Sequence, residues 1–305
     1  FVISGFIMIY AHFDDFGKSG APHLFFFKRL VRIVPNYWFL TAVATLVIFL
    51  APQLSQHGRE VDVPWIMASF LFIPYTSSTG IPLPVLGLGW TLNYEMYFYL
   101  IFSVALLLPR RAAVPALAVF FTLSIALGYL MDRNGAFISQ ATNWLLAEFM
   151  LGVFIGFASR HKCSILNGFG GVLIATSATL LVMALFFKQD GALMPIQRFA
   201  FFGISAGCLV TASTLTPLSQ KLIVPRPLLL LGDASYALYL THLFTLPATL
   251  LVLARLSIDL PACVTISVIF LASILVAMIF YSVFEKPSQR FLQVRKPIQG
   301  EKGSV

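Results

Sequence analysis

Uncharged apolar runs close to 20 residues long recur through almost the whole chain. That feature restricts the fold more than any motif does. A helix rises about 1.5 Å per residue, so about 20 apolar residues cross a hydrocarbon layer about 30 Å thick. Within that layer every backbone N–H and C=O must be satisfied by the protein itself, which leaves helices and closed barrels. The runs are continuously apolar and do not alternate with period two, which argues against a barrel. Composition agrees: 59% of the 305 residues are hydrophobic and 10% are charged, where a soluble domain carries roughly 25% charged residues. Too little polar surface is left to clothe a soluble core. The fold expected is all-α, a polytopic integral membrane helical bundle.

Nine crossings are expected, over about 1–12, 34–51, 90–108, 113–131, 143–158, 165–187, 198–215, 228–253 and 262–284. Residues 64–76 are apolar but short and lie between Pro64 and Pro74, which suits an interfacial or re-entrant segment. Residues 77–89, rich in Gly and Pro, read as a loop. No internal repeat and no soluble domain is visible, so 1–305 reads as one transmembrane domain with a short basic tail at 285–305.

Loop charge tests this segmentation. Under alternation, one side receives 13–33, 109–112, 159–164, 216–227 and the tail, holding 4, 2, 2, 2 and 5 Lys/Arg, which is 15 of the 20. The other side holds only Arg59, Arg133, Lys188, Arg198 and Arg255. By the positive-inside bias the first side, with the C-terminus, is cytoplasmic. The net charge of +8 is thus a signal of orientation and gives no reason to expect nucleic acid as a partner. The opening run before Asp14 is too short to span, begins without Met and lacks a charged n-region, so it reads as a cut helix and not as a signal peptide. Residue 1 falls on the outer side, and the expectation is an N-terminally truncated bundle with about nine helices of ten visible. Cys163, Cys208 and Cys263 have no metal or redox spacing and read as small apolar residues.

Polar residues inside spans are costly and are functional candidates for that reason. Glu95, Glu148, Asp233 and His242 fall in expected spans. Thr91, Glu95 and Tyr99 share a helix face at i, i+4, i+8, and Trp90 and Tyr94 also repeat at i, i+4. An aromatic belt at the membrane surface accounts for Trp90 and Tyr94, but not for a carboxylate one turn deeper. A neutral, hydrogen-bonded acid that serves packing is the plain alternative for Glu95. Ser235, Tyr239 and His242 form a second stripe, followed by Pro247. There the choice lies between a satisfied structural histidine and a catalytic or substrate-contacting one. Arg29 and Arg32, beside Lys28, lie one helical turn apart at the cytoplasmic surface. They can grip a diphosphate or snorkel to lipid phosphates as an anchor.

Taken together, these runs resemble the membrane acyltransferase 3 family, in its bacterial exopolysaccharide and surface-glycan O-acetyltransferase branch. The matching pieces are Phe1-Val2-Ile3-Ser4-Gly5-Phe6, Arg29-x-x-Arg32-x-x-Pro35 with Tyr37-Trp38, Trp90-Thr91-Leu92 with Asn93-Tyr94-Glu95, Glu148 with Gly152, the Gly232–His242 run, and Glu285-Lys286-Pro287. Their order covers nearly the whole chain. The resemblance implies a ten-helix enzyme of the bacterial inner membrane. It would move an acyl group, expected to be acetyl, from cytoplasmic acyl-CoA to a hydroxyl of an extracytoplasmic polysaccharide or lipid-linked sugar. Acyl-CoA (acetyl-CoA) is then a co-substrate; no bound cofactor and no metal are expected. Arg29, Arg32 and Lys28 would bind the donor, Glu95 and His242 would be catalytic, and Ser4, Trp90, Tyr94, Ser235, Tyr236 and Tyr239 would line the substrate pocket. The family's leading catalytic histidine belongs to a first helix upstream of the Ser4-Gly5-Phe6 run, and His12, on the other side of that run, is no substitute. A proton-coupled secondary transporter or flippase is the rival from another class, since buried carboxylates and histidine also serve as proton relays. An inactive fragment is the third reading.

Overall fold

The structure, a computed structural model, describes residues 1–51, 62–77, 80, 82–131, 135–161, 168–187, 194–217 and 224–292. Among them the regular structure is entirely helical. The helices are α1 Val2–Ala11, α2 Ala21–Leu50, α3 Val63–Phe70, α4 Gly89–Ala105, α5 Arg110–Leu130, α6 Ala136–Ala141, α7 Leu145–Arg160 and α8 Gly170–Phe187. After them come α9 Pro195–Leu215, α10 Arg226–Asp233, α11 Ser235–Arg255 and α12 Ala262–Leu292. Among the described residues seven stretches are long and apolar enough to cross a membrane: α2, α5, Ala136–Arg160 (α6 with α7), α8, α9, α11 and α12. Two more of the nine expected segments form shorter helices, the 10-residue α1 and the 17-residue α4. Cys208 lies on α9 and Cys263 on α12, while Cys163 falls outside the described residues.

Several boundaries differ from the sequence expectation for physical reasons. The residues from Ala21 onwards are helical and not a loop. Pro22 sits in the first turn, where a missing N–H costs nothing. At 30 residues α2 is about 45 Å long, more than the hydrocarbon thickness. It runs on through Pro35, which a membrane helix tolerates when neighbours satisfy the backbone. The stretch 228–253 is not one helix. α10 ends at Asp233, and Ala234 separates it from α11. Asp233 is therefore exposed outside the spanning helix, which removes it from the intramembrane candidates. Residues 64–76 hold the short α3 followed by a turn and irregular chain. Trp65 Nε1 donates to the Leu83 carbonyl at 2.8 Å, and Ser69 Oγ accepts the Val85 N–H at 2.9 Å. These bonds anchor the Gly/Pro-rich connection just before α4.

The chain forms two compact units, Phe1–Phe26 with Val47–Ile223, and Phe27–Leu46 with Val224–Val305. In the first unit α1 lies along α7 at backbone contact. Within a bilayer, packing of this kind rests on small residues and van der Waals contact, because lipid tails are as apolar as leucine. A Cβ at Gly5 would collide with the Phe149 carbonyl, one at Gly152 with the Val2 carbonyl, and one at Gly156 with Ile9. Aromatic stacking fills the interior beside this seam. Phe98 and Phe149 are 4.1 Å apart at 12°, with Phe121 5.4 Å from Phe98. Asn143 Oδ1 accepts the Leu145 N–H at 3.0 Å, an Asx turn that starts α7. α8 and α9 are joined by the buried hydroxyls of Ser177 and Ser205, 2.6 Å apart.

In the second unit α11 packs on α12, and Phe39 of α2 stacks with Phe284 at 4.5 Å and Phe280 at 6.0 Å. α12 contains a π-helical turn, Tyr281–Glu285. The expected tail begins as helix over 285–292, and 293–305 lie outside the described residues.

Candidate active site

The centre of the first unit's polar chemistry is Glu95, on the second turn of α4 and half-buried. Ser4 Oγ donates to its Oε1 at 2.9 Å. The Tyr99 hydroxyl, one turn further along α4, donates to Oε2 at 2.9 Å. One hydroxyl on each oxygen fixes the plane of the carboxylate. A carboxylate offers about four acceptor positions, so two remain for an imidazole or a substrate hydroxyl. The helix face that joins Glu95 to Tyr99 was legible in the spacing. Ser4, 91 residues away in sequence, was not. The glycine seam explains its arrival: α1 lies against α7 closely enough for Ser4 to reach α4. Thr91, on the same face, donates to the Leu88 carbonyl at 2.9 Å.

Trp90 and Tyr94 form a packed wall. Their rings meet edge to face at 5.9 Å, and Tyr94 is 7% exposed. Phe1 wedges against both, at 6.3 Å from Trp90 and 5.8 Å from Tyr94, and rests on Phe149 at 4.8 Å.

Two charged residues adjoin this wall. Glu148 lies in the first turn of α7 and is 7% exposed. Arg198, on the first turn of α9, is half-buried, and its guanidinium lies 5.5 Å from the centre of the Trp90 ring. Its charge acts on Glu148. Sequence reasoning counted Arg198 only as an outer-side charge. The usable signal was its position against the positive-inside bias, immediately before an apolar run.

At the far end of α1, Asp14 bridges Arg160 at 2.8 Å and Arg110 at 3.6 Å. His12 Nδ1 lies 2.9 Å from Asp15. These contacts tie down the turn between α1 and α2.

The second unit holds the other candidates. Lys28 and Arg32 are exposed on α2, and Arg29 is half-buried. The charge of Arg32 acts on Glu285, whose side chain is 2% exposed and whose Oε1 accepts from Gln289 Nε2 at 3.1 Å. The Arg-x-x-Arg run and the Glu285-Lys286-Pro287 run, far apart in sequence, thus lie within electrostatic reach of each other. Tyr236 donates its hydroxyl to the Ile33 carbonyl at 3.0 Å, next to the same arginines. Ser235 is exposed at the first position of α11. Tyr239 and His242 are neighbours, with ring centres 6.2 Å apart. His242 Nδ1 donates to the Leu238 carbonyl of its own helix at 3.1 Å. That bond requires a proton on Nδ1, so in the neutral ring Nε2 is the acceptor. Among the described residues no group of three or more His, Cys, Asp or Glu is placed to hold a metal ion.

The chain is similar to known proteins of one family. A family model described as "Acyltransferase domain", the acyltransferase 3 family, matches residues 1–282. The exopolysaccharide production protein ExoZ of Rhizobium meliloti is 32% identical over 313 residues, covering 99% of this chain and 92% of that protein. Nodulation protein 10 of Rhizobium leguminosarum is 28% identical, covering 81% of this chain and 70% of its own length. The O-acetyltransferase OatA of Staphylococcus aureus is 27% identical over 79% of this chain, which spans 44% of that longer protein. No solved structure matches. With the family match extending over nearly the entire chain and the helices long enough to cross a bilayer, the protein belongs to the acyltransferase 3 family and is a multi-pass membrane acyltransferase.

Proposed function

We propose that this protein is an O-acetyltransferase of the bacterial inner membrane. It moves an acetyl group from cytoplasmic acetyl-CoA to a hydroxyl of an extracytoplasmic polysaccharide or lipid-linked sugar. The observation that carries this reading is the Glu95 carboxylate, set in a membrane bundle with one hydroxyl donor on each oxygen. A carboxylate so held can orient an imidazole and stabilise its charge while that base takes a proton from the acceptor hydroxyl. The names of the relatives supply the substrate class: exopolysaccharide production for one and O-acetyl transfer for another.

Arg29 and Arg32, with Lys28, hold the phosphates of the donor, since guanidinium groups bind phosphate oxygens in pairs. Glu285 counterbalances Arg32 when no phosphate is bound. Tyr236, Ser235, Tyr239 and His242 serve the acceptor side, with His242 Nε2 as a hydrogen-bond acceptor for a hydroxyl. The 15 basic residues that fall between the apolar runs on one side support a cytoplasmic C-terminus. Buried carboxylates alone would also suit a transporter; the family match favours the enzyme.

The test is acetyl-CoA-dependent modification of polysaccharide in membranes that carry the protein. The double variant Arg29→Ala, Arg32→Ala is expected to abolish modification while the protein inserts normally. Activity retained in that variant would refute donor binding by the pair.

A further inference from the structure

We propose that Glu148 and Arg198, with Trp90 as the platform for the guanidinium, form a subsite that binds the hydroxyls of a neutral sugar ring of the acceptor. The proposal rests on the acyl-transfer reading above and names what its acceptor end recognises. The first argument is what these two charges leave unused. Among the described residues, neither Glu148 nor the Arg198 guanidinium makes an ion pair or hydrogen bond at contact distance, although each lies within the other's electrostatic reach. Burying a carboxylate and a guanidinium at the end of a membrane bundle is costly. A pair kept only for structure recovers that cost by closing to contact. This pair stays apart.

The second argument is how Arg198 is held. The indole of Trp90 lies 5.5 Å beneath its guanidinium. A cation–π contact orients the group through its face and leaves its five N–H donors unspent. The local backbone serves the same placement. α9 has a π-helical turn, Phe199–Gly203, directly after Arg198, a distortion often found at functional sites. At the end of that turn, a Cβ on Gly203 would sit 3.1 Å from Glu148 Cγ and 2.9 Å from the Phe199 ring. Glycine there lets α9 approach the carboxylate.

The third argument is chemical class. An anionic ligand would meet the Glu148 charge, and a cationic one the Arg198 charge. A neutral polyol suits both: one hydroxyl donates to the carboxylate, and a neighbouring oxygen accepts from the guanidinium.

The experiment measures transfer from acetyl-CoA by the full chain in proteoliposomes, with methyl glucoside, methyl galactoside and their uronate counterparts as acceptors. Arg198→Lys and Glu148→Gln are expected to raise KM for the neutral glycosides at least tenfold, the loss of one charge-assisted hydrogen bond. KM for acetyl-CoA and acceptor-independent acetyl-CoA hydrolysis should stay within twofold. Unchanged glycoside KM, or a shift in acetyl-CoA KM instead, overturns the subsite. The wild type tests it without any variant: neutral glycosides must be used better than uronates, and equal or better use of uronates overturns it. No acetyl-CoA-dependent transfer by the wild type to any of the four refutes the acyl-transfer reading itself, and the subsite falls with it.

Discussion

Tyr99→Phe isolates the Glu95 geometry with the least disturbance. The change deletes one oxygen and keeps the ring. Tyr99 is 4% exposed and meets Phe25 edge to face at 6.1 Å, so the packing of the ring survives. What is lost is the 2.9 Å bond to Glu95 Oε2. A hydrogen bond to a charged group contributes about 1.5–3 kcal/mol, and about 1.4 kcal/mol is a factor of ten. The carboxylate keeps Ser4 on its other oxygen but gains freedom to turn about that single bond. If its orientation matters mainly in the transition state, the loss falls on kcat, and KM for acetyl-CoA stays within twofold. The expected fall in kcat is tenfold or more. Ser4→Ala should act similarly. The double variant should lose less than the product of the two, because both hydroxyls orient one group. The assay is transfer of labelled acetyl from acetyl-CoA to a glycoside in proteoliposomes, with thermal unfolding followed in parallel. A Tyr99→Phe protein with normal kcat would show that the Glu95 orientation does not govern the chemistry.

Two further outcomes follow from packing. Gly152→Val places side-chain atoms against the Val2 carbonyl and the Phe6 N–H, so α1 must move off α7. Overpacking of this kind costs about 1–3 kcal/mol, and a lower unfolding temperature should accompany lost transferase activity as Ser4 leaves Glu95; wild-type values for both would refute the role given to the seam. Tyr236→Phe removes the bond to the Ile33 carbonyl and should lower stability in detergent by about 0.5–1.5 kcal/mol, read from the unfolding temperature; an unchanged value would show that this bond does not help to hold α11 to α2.

Element type was legible from the sequence, and element boundaries less so. Apolar runs near 20 residues long dictate helices, because no other chain conformation satisfies its own backbone in lipid. The break at Ala234, the start of α2 at Ala21 and the π turns in α9 and α12 depend on which neighbours can compensate a disturbed backbone. That is tertiary information. Asp233 shows the consequence: hydropathy placed it in a span, and one helix break put it outside.

The same division holds for the site. The sequence by itself determined that Glu95 and Tyr99 face one way, that Arg29 and Arg32 form a pair, and that intramembrane charges are few enough to be candidates. Those facts follow from helical periodicity and the cost of charge in lipid, both of which are local. Only the tertiary structure brought Ser4 to Glu95, set Arg198 over Trp90 within electrostatic reach of Glu148, and put Arg32 within such reach of Glu285. Each of those placements joins helices distant in sequence. Their meeting depends on which small residues allow two backbones to touch, and periodicity within one helix carries no record of what its neighbour presents.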